Sequence, residues 1–318
     1  MKLKNIFFAI VLFAIAVTGC DKITNPILPH AQNSTLPNTP PAFRDSSAAI
    51  GTYGYGQYKL LLEDCMGDQC SNCPLAIRIA DSLLSPTGGY PYGQIVMIEE
   101  NMGFEAIPTS SVVAGAKAGT FSGDYNSSVG DAWCKKFGID AYGYPAGLIN
   151  RLGYSNNMNL IYTKWLDSVP SIIQHTQQSV AINIHDSCWT SPRIIGVEFQ
   201  ITFVKPLSGT YALETLIVED NVVFPQVLPS GYSLNFVHHN VLRGAFGNNT
   251  GGITTGIPIP TTSGTWTSYQ TYDFTKGENG KAAGWNMANC YIVAFVYGST
   301  GNTTNPWQVV QAEMIKVE

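Results

Sequence analysis

The sequence predicts an α/β domain followed by an all-β sandwich, carried on an exported chain. Three observations lead there. Strand and helix patterns alternate between Tyr58 and His175. From about residue 178 onward the pattern is one of strands and turns alone. Ahead of both, an apolar N-terminal run stops at a cysteine.

The run opens with Lys2 and Lys4 and continues through twelve apolar residues, Ile6 to Val17. A resident membrane helix needs about 20 residues, so this one is too short. Charged, then apolar, then small is the order of a secretory signal peptide. Val17-Thr18-Gly19-Cys20 then places small residues directly before a thiol. That arrangement suits a lipoprotein signal peptidase, with diacylglycerol carried on Cys20. An ordinary signal peptide ending near a cysteine is the competing reading, and the position of Cys20 at the end of the run argues against it. No later segment is apolar for long enough to span a bilayer.

Cleavage after residue 19 removes Lys2 and Lys4 and takes the formal charge from −5 to −7. Only 12% of the chain is charged, and no basic stripe stands out, so nucleic acid is not an expected partner. Residues 20–46 are rich in Pro, Asn, Thr and Ser without apolar periodicity, as in Asn33-Ser34-Thr35-Leu36-Pro37, and read as a lipidated tether. The α/β domain is assigned to residues 47–177 and the sandwich to 178–318, each with its own core.

In the α/β part, Tyr58 to Glu63 reads as a buried strand. A helix over 72–84 follows, with Leu75, Ile79 and Leu83 on one face and Pro74 tolerated in its first turn. Gln94 to Glu99 is the next strand, 103–125 is loop with some helix, and 128–137 is a helix. Ala146 to Asn150 is a strand, and 160–175 a helix. Beyond it, strands are expected at Val180–Ile184, Ile194–Val204, Tyr211–Glu219, Leu234–Leu242, Trp266–Phe274, Cys290–Tyr297 and Trp307–Val317. Alternation in Val197-Glu198-Phe199-Gln200-Ile201 marks a half-buried strand, and several such segments separated by Gly, Pro and Asn suggest an antiparallel sandwich.

The chemistry centres on Cys70-Ser71-Asn72-Cys73-Pro74. A Cys-x-x-Cys where a strand gives way to a helix puts the first thiolate at the helix N-terminus, where free N–H groups and the macrodipole stabilise it. The second cysteine lies one turn on, within disulfide reach, so the pair can form and resolve a mixed disulfide. Structural disulfides and metal sites share the motif. A zinc site from Cys65, Cys70 and Cys73 is the weaker alternative, because a matching second half is missing and export favours oxidation. No cofactor or metal is expected. Setting Cys20 aside leaves an even number of thiols. Cys65 with Cys134 and Cys188 with Cys290 are candidate structural disulfides, each able to add about 2–4 kcal/mol.

With the strand before it, the helix after it and the later Tyr144-Pro145-Ala146-Gly147 entry into a strand, the motif resembles the thioredoxin superfamily over roughly residues 54–175. That resemblance implies a cis Pro145 lining the substrate groove beside the cysteines. It also implies a proton-relaying buried acid six residues before Cys70, a place held by Asp64. Ser71-Asn72 stands where Gly-Pro is usual, and Gln69 where an aromatic residue is common. A closer resemblance spans nearly the whole mature chain. Cys-x-Asn-Cys-Pro, Tyr144 to Arg151 and His239-Asn240-Val241-Leu242-Arg243 look like the Bacteroidota lipoprotein family named for a 28-kilodalton outer-membrane protein. It implies an outer-membrane lipoprotein with a thioredoxin-like domain and then an immunoglobulin-like one. The family usually carries Phe-Thr-Gly where this chain has Cys65-Met66-Gly67, making Cys65 an extra thiol.

Two functions follow. One is an envelope thiol–disulfide oxidoreductase with Cys70 as nucleophile, Cys73 as resolving thiol, Asp64 as relay and Pro145 in the groove, acting on a protein thiol or disulfide. The other is a non-catalytic surface adhesin or an accessory subunit of an outer-membrane complex. In both, lipid on Cys20 ties the chain to the membrane. The tandem His238-His239 points to opposite faces of a strand and makes a poor metal site. Trp266, Trp285 and Trp307 suit a glycan surface or, as aromatics in sandwiches more commonly do, the core.

Overall fold

Runs of buried β-formers in the first part of the chain assemble a small mixed sheet, seen in a computed structural model that describes residues 44–45, 57–84, 93–154, 158–247, 256–261, 264–276 and 285–317. The signal peptide, Cys20 and almost all of the tether lie outside them. Two residues expected in the tether, Arg44–Asp45, instead form a short strand, β1. β2 (Leu60–Met66) is buried at all seven positions and runs parallel to β3 (Ile95–Asn101) from Leu60↔Ile95 to Met66↔Asn101. Parallel neighbours need a crossover, and α1 (Cys73–Leu84) supplies it. α2 (Ser128–Phe137) is closed at its start by Ser127 Oγ, which accepts from Gly130 N at 2.8 Å, and at its end by left-handed Gly138. β4 (Ala146–Ile149) pairs antiparallel with β2, and β5 (Asn159–Leu160) completes that edge. α3 (Trp165–His175) begins later than periodicity suggested, after a short 3-10 turn at Tyr162–Lys164.

Alternation along β2 sorts its side chains between two faces. Leu60 and Leu62 pack with Ala76, Ala80, Trp165 and Val169, under α1 and α3. Leu61 and Cys65 pack with Val129, Trp133 and Cys134 on the α2 side.

The rest of the chain is β6 (Val180–Thr190), β7 (Arg193–Phe203), β8 (Tyr211–Glu219), β9 (Val222–Leu228), β10 (Gly231–His238), β11 (Val241–Ala245), β12 (Ile257–Ile259), β13 (Gly264–Asp273), β14 (Cys290–Gly298) and β15 (Val309–Lys316). β1, β6, β7 and β13 make one antiparallel sheet. Its Ile184, Val197 and Phe199 join Leu213, Ile217, Ile292 and Ala294 of β8 and β14 in a common apolar cluster, a β-sandwich-like part. The molecule is thus mostly β-sheet with a few helices.

The two parts keep a cluster each but are joined through a shared sheet and a third, mixed cluster. β11 pairs antiparallel with β8 and parallel with β3 at Val241↔Glu99, so β15-β14-β8-β11-β3-β2-β4-β5 is one continuous sheet. The physical reason is the edge of β3. Unpaired, it would leave backbone groups open, and instead Glu99 N donates to Asn240 O at 2.9 Å. One core cluster accordingly mixes Leu61 and Trp133 with Leu216 and Phe295. The expected strand Leu234–Leu242 is broken at His239-Asn240, where Asn240 takes φ 55°. β9 was not anticipated. It holds Pro225, which suits a strand outside a main sheet, and β9 with β10 forms a ribbon of its own.

On the α2 side of the sheet lies a buried ion pair. Arg151 Nε donates to both oxygens of Glu63 at 3.0 and 2.9 Å, and its Nη2 also bonds Glu63 Oε1. The guanidinium sits 4.4 Å from the Trp133 ring, 4.9 Å from Phe137 and 5.0 Å from Phe295. Burial opposes its charge, but Glu63, with Glu100 and Glu214 beyond, holds its pKa above the ordinary value. Glu100, buried and beside Glu63, is pushed well above the usual carboxylate range. Arg151→Met leaves Glu63 buried and unpaired and should cost about 3–5 kcal/mol in urea unfolding. The double variant Glu63→Leu/Arg151→Met should recover most of that loss. If the single variant is as stable as wild type, the pair does not organise this core.

Candidate redox site

Three short segments build the site. β2 ends at Met66, a tight loop carries Gly67 to Asn72, and α1 starts on Cys73. Gly67 is needed for close approach, since a Cβ there would sit 2.4 Å from the backbone of Glu105. Cys70 and Cys73 are bonded to each other, with Cα atoms 5.5 Å apart. Cys73 N donates to Cys70 Sγ at 3.1 Å, so the first sulfur faces the helix N-terminus as the motif required. The Tyr144–Pro145 peptide is cis. Pro145 leads into Ala146, which lies opposite Cys65 on β2, and the Tyr144 ring packs on the cluster of Met66, Cys70, Cys73 and Ile77.

Asp64 is fully buried. It lies between Leu62 and Met66 on the face of β2 that α1 covers. Neither carboxyl oxygen has a hydrogen-bond partner among the described residues. Burial first, then the nearby Glu99 and Asp81, push its pKa well up. Its register partner on β3 is Glu99. Glu99 Oε1 is 2.7 Å from His238 Nδ1 and accepts from Asn101 Nδ2 at 3.3 Å. The histidine pair does point opposite ways. His238 is buried against Phe224, with ring centroids 3.5 Å apart, while His239 is partly exposed and pairs with Asp220 at 2.5 Å. His239, Asp220, Asp81 and Lys59 line a separate pocket of about 370 Å³ that also reaches Leu84 at the C-terminal end of α1. No metal-binding cluster occurs among the described residues.

The expected extra disulfides are not formed. Cys65, Cys134 and Cys290 carry free thiols. Cys65 Sγ is directed at Glu100 Oε2, 3.8 Å away, and burial beside Glu100 raises its pKa strongly. Cys134 Sγ contacts the Tyr144 hydroxyl at 3.2 Å, and that hydroxyl donates to Asp140 at 2.6 Å. Cys290 Sγ donates to Asn286 O at 3.4 Å rather than meeting Cys188 on the other sheet, and burial pushes it to about 12. Trp307 is core, stacked on Tyr297, and Trp266 and Trp285 pack against the sandwich interior.

Sequence reasoning missed the cover. Cys70 is 3% exposed and Cys73 is sealed. The β9–β10 ribbon lies over them. Gln226 is fully buried, and its Nε2 donates to Cys70 O at 2.9 Å and Gly67 O at 3.2 Å. Val227 N donates to Asp68 O at 2.8 Å, and Phe236 packs on the disulfide cluster. A polar Gln226 within Val222-Val223-Phe224-Pro225-Gln226-Val227 was the available signal, but nothing local says which partner it serves.

Known proteins share this architecture. The outer membrane protein Omp28 family matches residues 131–317, and the chain belongs to that family. Among solved structures it is similar to HBP35 of Porphyromonas gingivalis, with a TM-score of 0.57 and 12% identity, over 82% of this chain and 76% of that one. At that identity the likeness speaks to fold alone. No curated protein matches the sequence. No helix among the described residues is long and apolar enough to cross a membrane.

Asp68, in the loop under the ribbon, is 3% exposed, and burial raises it from 3.8 to about 7. The folded protein therefore keeps a proton that the unfolded chain has lost. This group's contribution to stability is present at low pH and is lost as pH rises from about 4 to 7. Asp68→Asn should show a smaller drop in Tm between pH 5 and pH 8 than wild type. Equal drops would mean that the carboxyl ionises in place without penalty.

Proposed function

We propose that the protein is an outer-membrane lipoprotein, anchored by lipid on Cys20, whose thioredoxin-like N-terminal part exchanges thiols and disulfides through Cys70 and Cys73. The observation that carries this reading is Cys70 Sγ accepting the Cys73 N–H at the start of α1, next to the cis Tyr144–Pro145 segment. A parallel β2–α1–β3 unit with antiparallel β4 entered through that proline supports the thioredoxin-like assignment.

In the oxidised state, a substrate thiolate attacks Cys70 Sγ. The Cys70–Cys73 bond breaks, and Cys73 leaves as a thiolate that takes up the proton held by Asp64. A second substrate thiolate attacks the substrate sulfur of the mixed disulfide and displaces Cys70, whose thiolate rests on the helix N-terminus. The substrate dithiol is oxidised and the two protein sulfurs are reduced. Run backwards, the same steps reduce a substrate disulfide and return the proton to Asp64.

The covered disulfide favours a second reading, a non-catalytic surface adhesin or accessory subunit of an outer-membrane complex, with Cys70–Cys73 as a structural staple. Insulin reduction by the soluble protein separates the two. Wild type should turn over, Cys70→Ser should be inactive, and Asp64→Asn should be slower by about a hundredfold. Wild type no faster than Cys70→Ser leaves the structural reading standing. For the anchor, Cys20→Ser should move the protein from the membrane fraction to the soluble one, and a variant that stays with the membrane removes the lipid on Cys20 from the account.

A further inference from the structure

The strands of the ribbon over the cysteines pair with neither main sheet. β9 pairs with β10 alone. An isolated two-stranded ribbon is marginal by itself, so its stability comes from what it lies on. Its two links to the sheet, Asp220-Asn221 before β9 and His239-Asn240 after β10, are two residues each, with Asn221 and Asn240 at φ 57° and 55°. Its inner side chains, Phe224, Gln226 and Val227, are buried, while Val223, Leu234 and Val237 on it are 55%, 54% and 41% exposed.

What lies beneath the ribbon has a definite chemistry. The carbonyls of Gly67, Asp68 and Cys70 all accept from it, one from the backbone N–H of Val227 and two from the amide of Gln226. Beside them, Met66, Ile77 and Tyr144 make an apolar seat filled by Phe236. A row of carbonyl acceptors beside an aromatic-sized seat, next to a disulfide, is a surface that reads an extended polypeptide.

We propose that the β9–β10 ribbon is a displaceable plug, and that the site it fills takes an extended segment of a protein substrate. That segment presents a backbone N–H to Asp68 O and a large apolar side chain to the seat of Phe236. This rests on the redox reading for its purpose, but not for its test. Attack at Cys70 requires the ribbon to lift, and a substrate strand then replaces the hydrogen bonds the ribbon gives up. The substrate specificity of the site is written in the plug that occupies it.

The test reads the disulfide directly. Cys70–Cys73 reduction by a small phosphine is followed by alkylation and mass spectrometry in the full soluble chain. Gln226→Leu removes two hydrogen bonds to the loop and should speed reduction about tenfold. Leu234→Ser, on the exposed surface of the ribbon, should leave the rate unchanged. A synthetic peptide copying residues 222–238, which carries both Val227 and Phe236, should bind Gln226→Leu and slow its reduction, and should bind wild type weakly. Should Gln226→Leu fail to fold, as judged by its melting transition, Phe236→Ala gives the same readout. A folded inner variant reduced no faster than wild type overturns the plug. So does a wild-type disulfide reduced as fast as in urea. Failure of insulin turnover with accelerated reduction in Gln226→Leu would instead sink the redox reading while keeping the plug.

Discussion

The Glu63–Arg151 ion pair is the constraint around which the rest of the molecule is arranged. Removing both charges from water is costly, and the cost is met only when every donor and ring is in place. Trp133 and Phe137 come from the first part of the chain and Phe295 from β14, so the guanidinium is fully surrounded only when both parts have met. Next to it, Asn150 closes the end of β4 onto β2. Its Oδ1 accepts from Leu61 N at 2.7 Å, and its own N–H donates to Leu61 O at 2.9 Å. That clamp sets the register of β4, and with it the place where Pro145 enters beside the cysteines.

The two faces of β2 and β3 handle buried acid differently. On the α2 side a strong cation pairs with Glu63, and burial beside Glu63 pushes Glu100 well above the usual carboxylate range. On the α1 side no such cation stands beside Asp64 among the described residues. Burial and the neighbouring acids push its pKa up, and Glu99 turns to His238 from the base of the ribbon. The site therefore borrows from the sequence-distant β part twice, once for the partner of Glu99 and once for the cover of Cys70. A division into a catalytic unit and a passive β unit misses both. The shared sheet puts the ribbon over the sulfurs as directly as the helix puts N–H groups beneath them.

Much of the site was legible because its determinants are local. The strand–loop–helix around Cys70 follows from a buried run, a glycine loop and Pro74 in the first helical turn. Period-two alternation alone separates Asp64 from Cys65. The Tyr144-Pro145 entry to a strand carried its resemblance in a few consecutive residues. By contrast, the cysteine pairings of the remaining thiols were not legible. Cys65 and Cys134 share a core cluster, yet each sulfur is turned to a polar neighbour, Glu100 in one case and Tyr144 in the other. Side-chain direction of that kind depends on packing, which composition and compartment do not specify.

By itself the sequence determined the strand–loop–helix around Cys70, the buried run of β2 and the alternation that puts Asp64 and Cys65 on opposite faces, because each depends on residues within a few positions of one another. Tertiary structure alone decided that the two parts share one sheet, that Arg151 has three rings around it, and that the Cys70–Cys73 disulfide is covered. The amide of Gln226 reaches the carbonyl of Cys70 across 156 positions of sequence. A contact of that span is chosen by which surfaces fit once the sheet has formed, and periodicity along the chain carries no record of it.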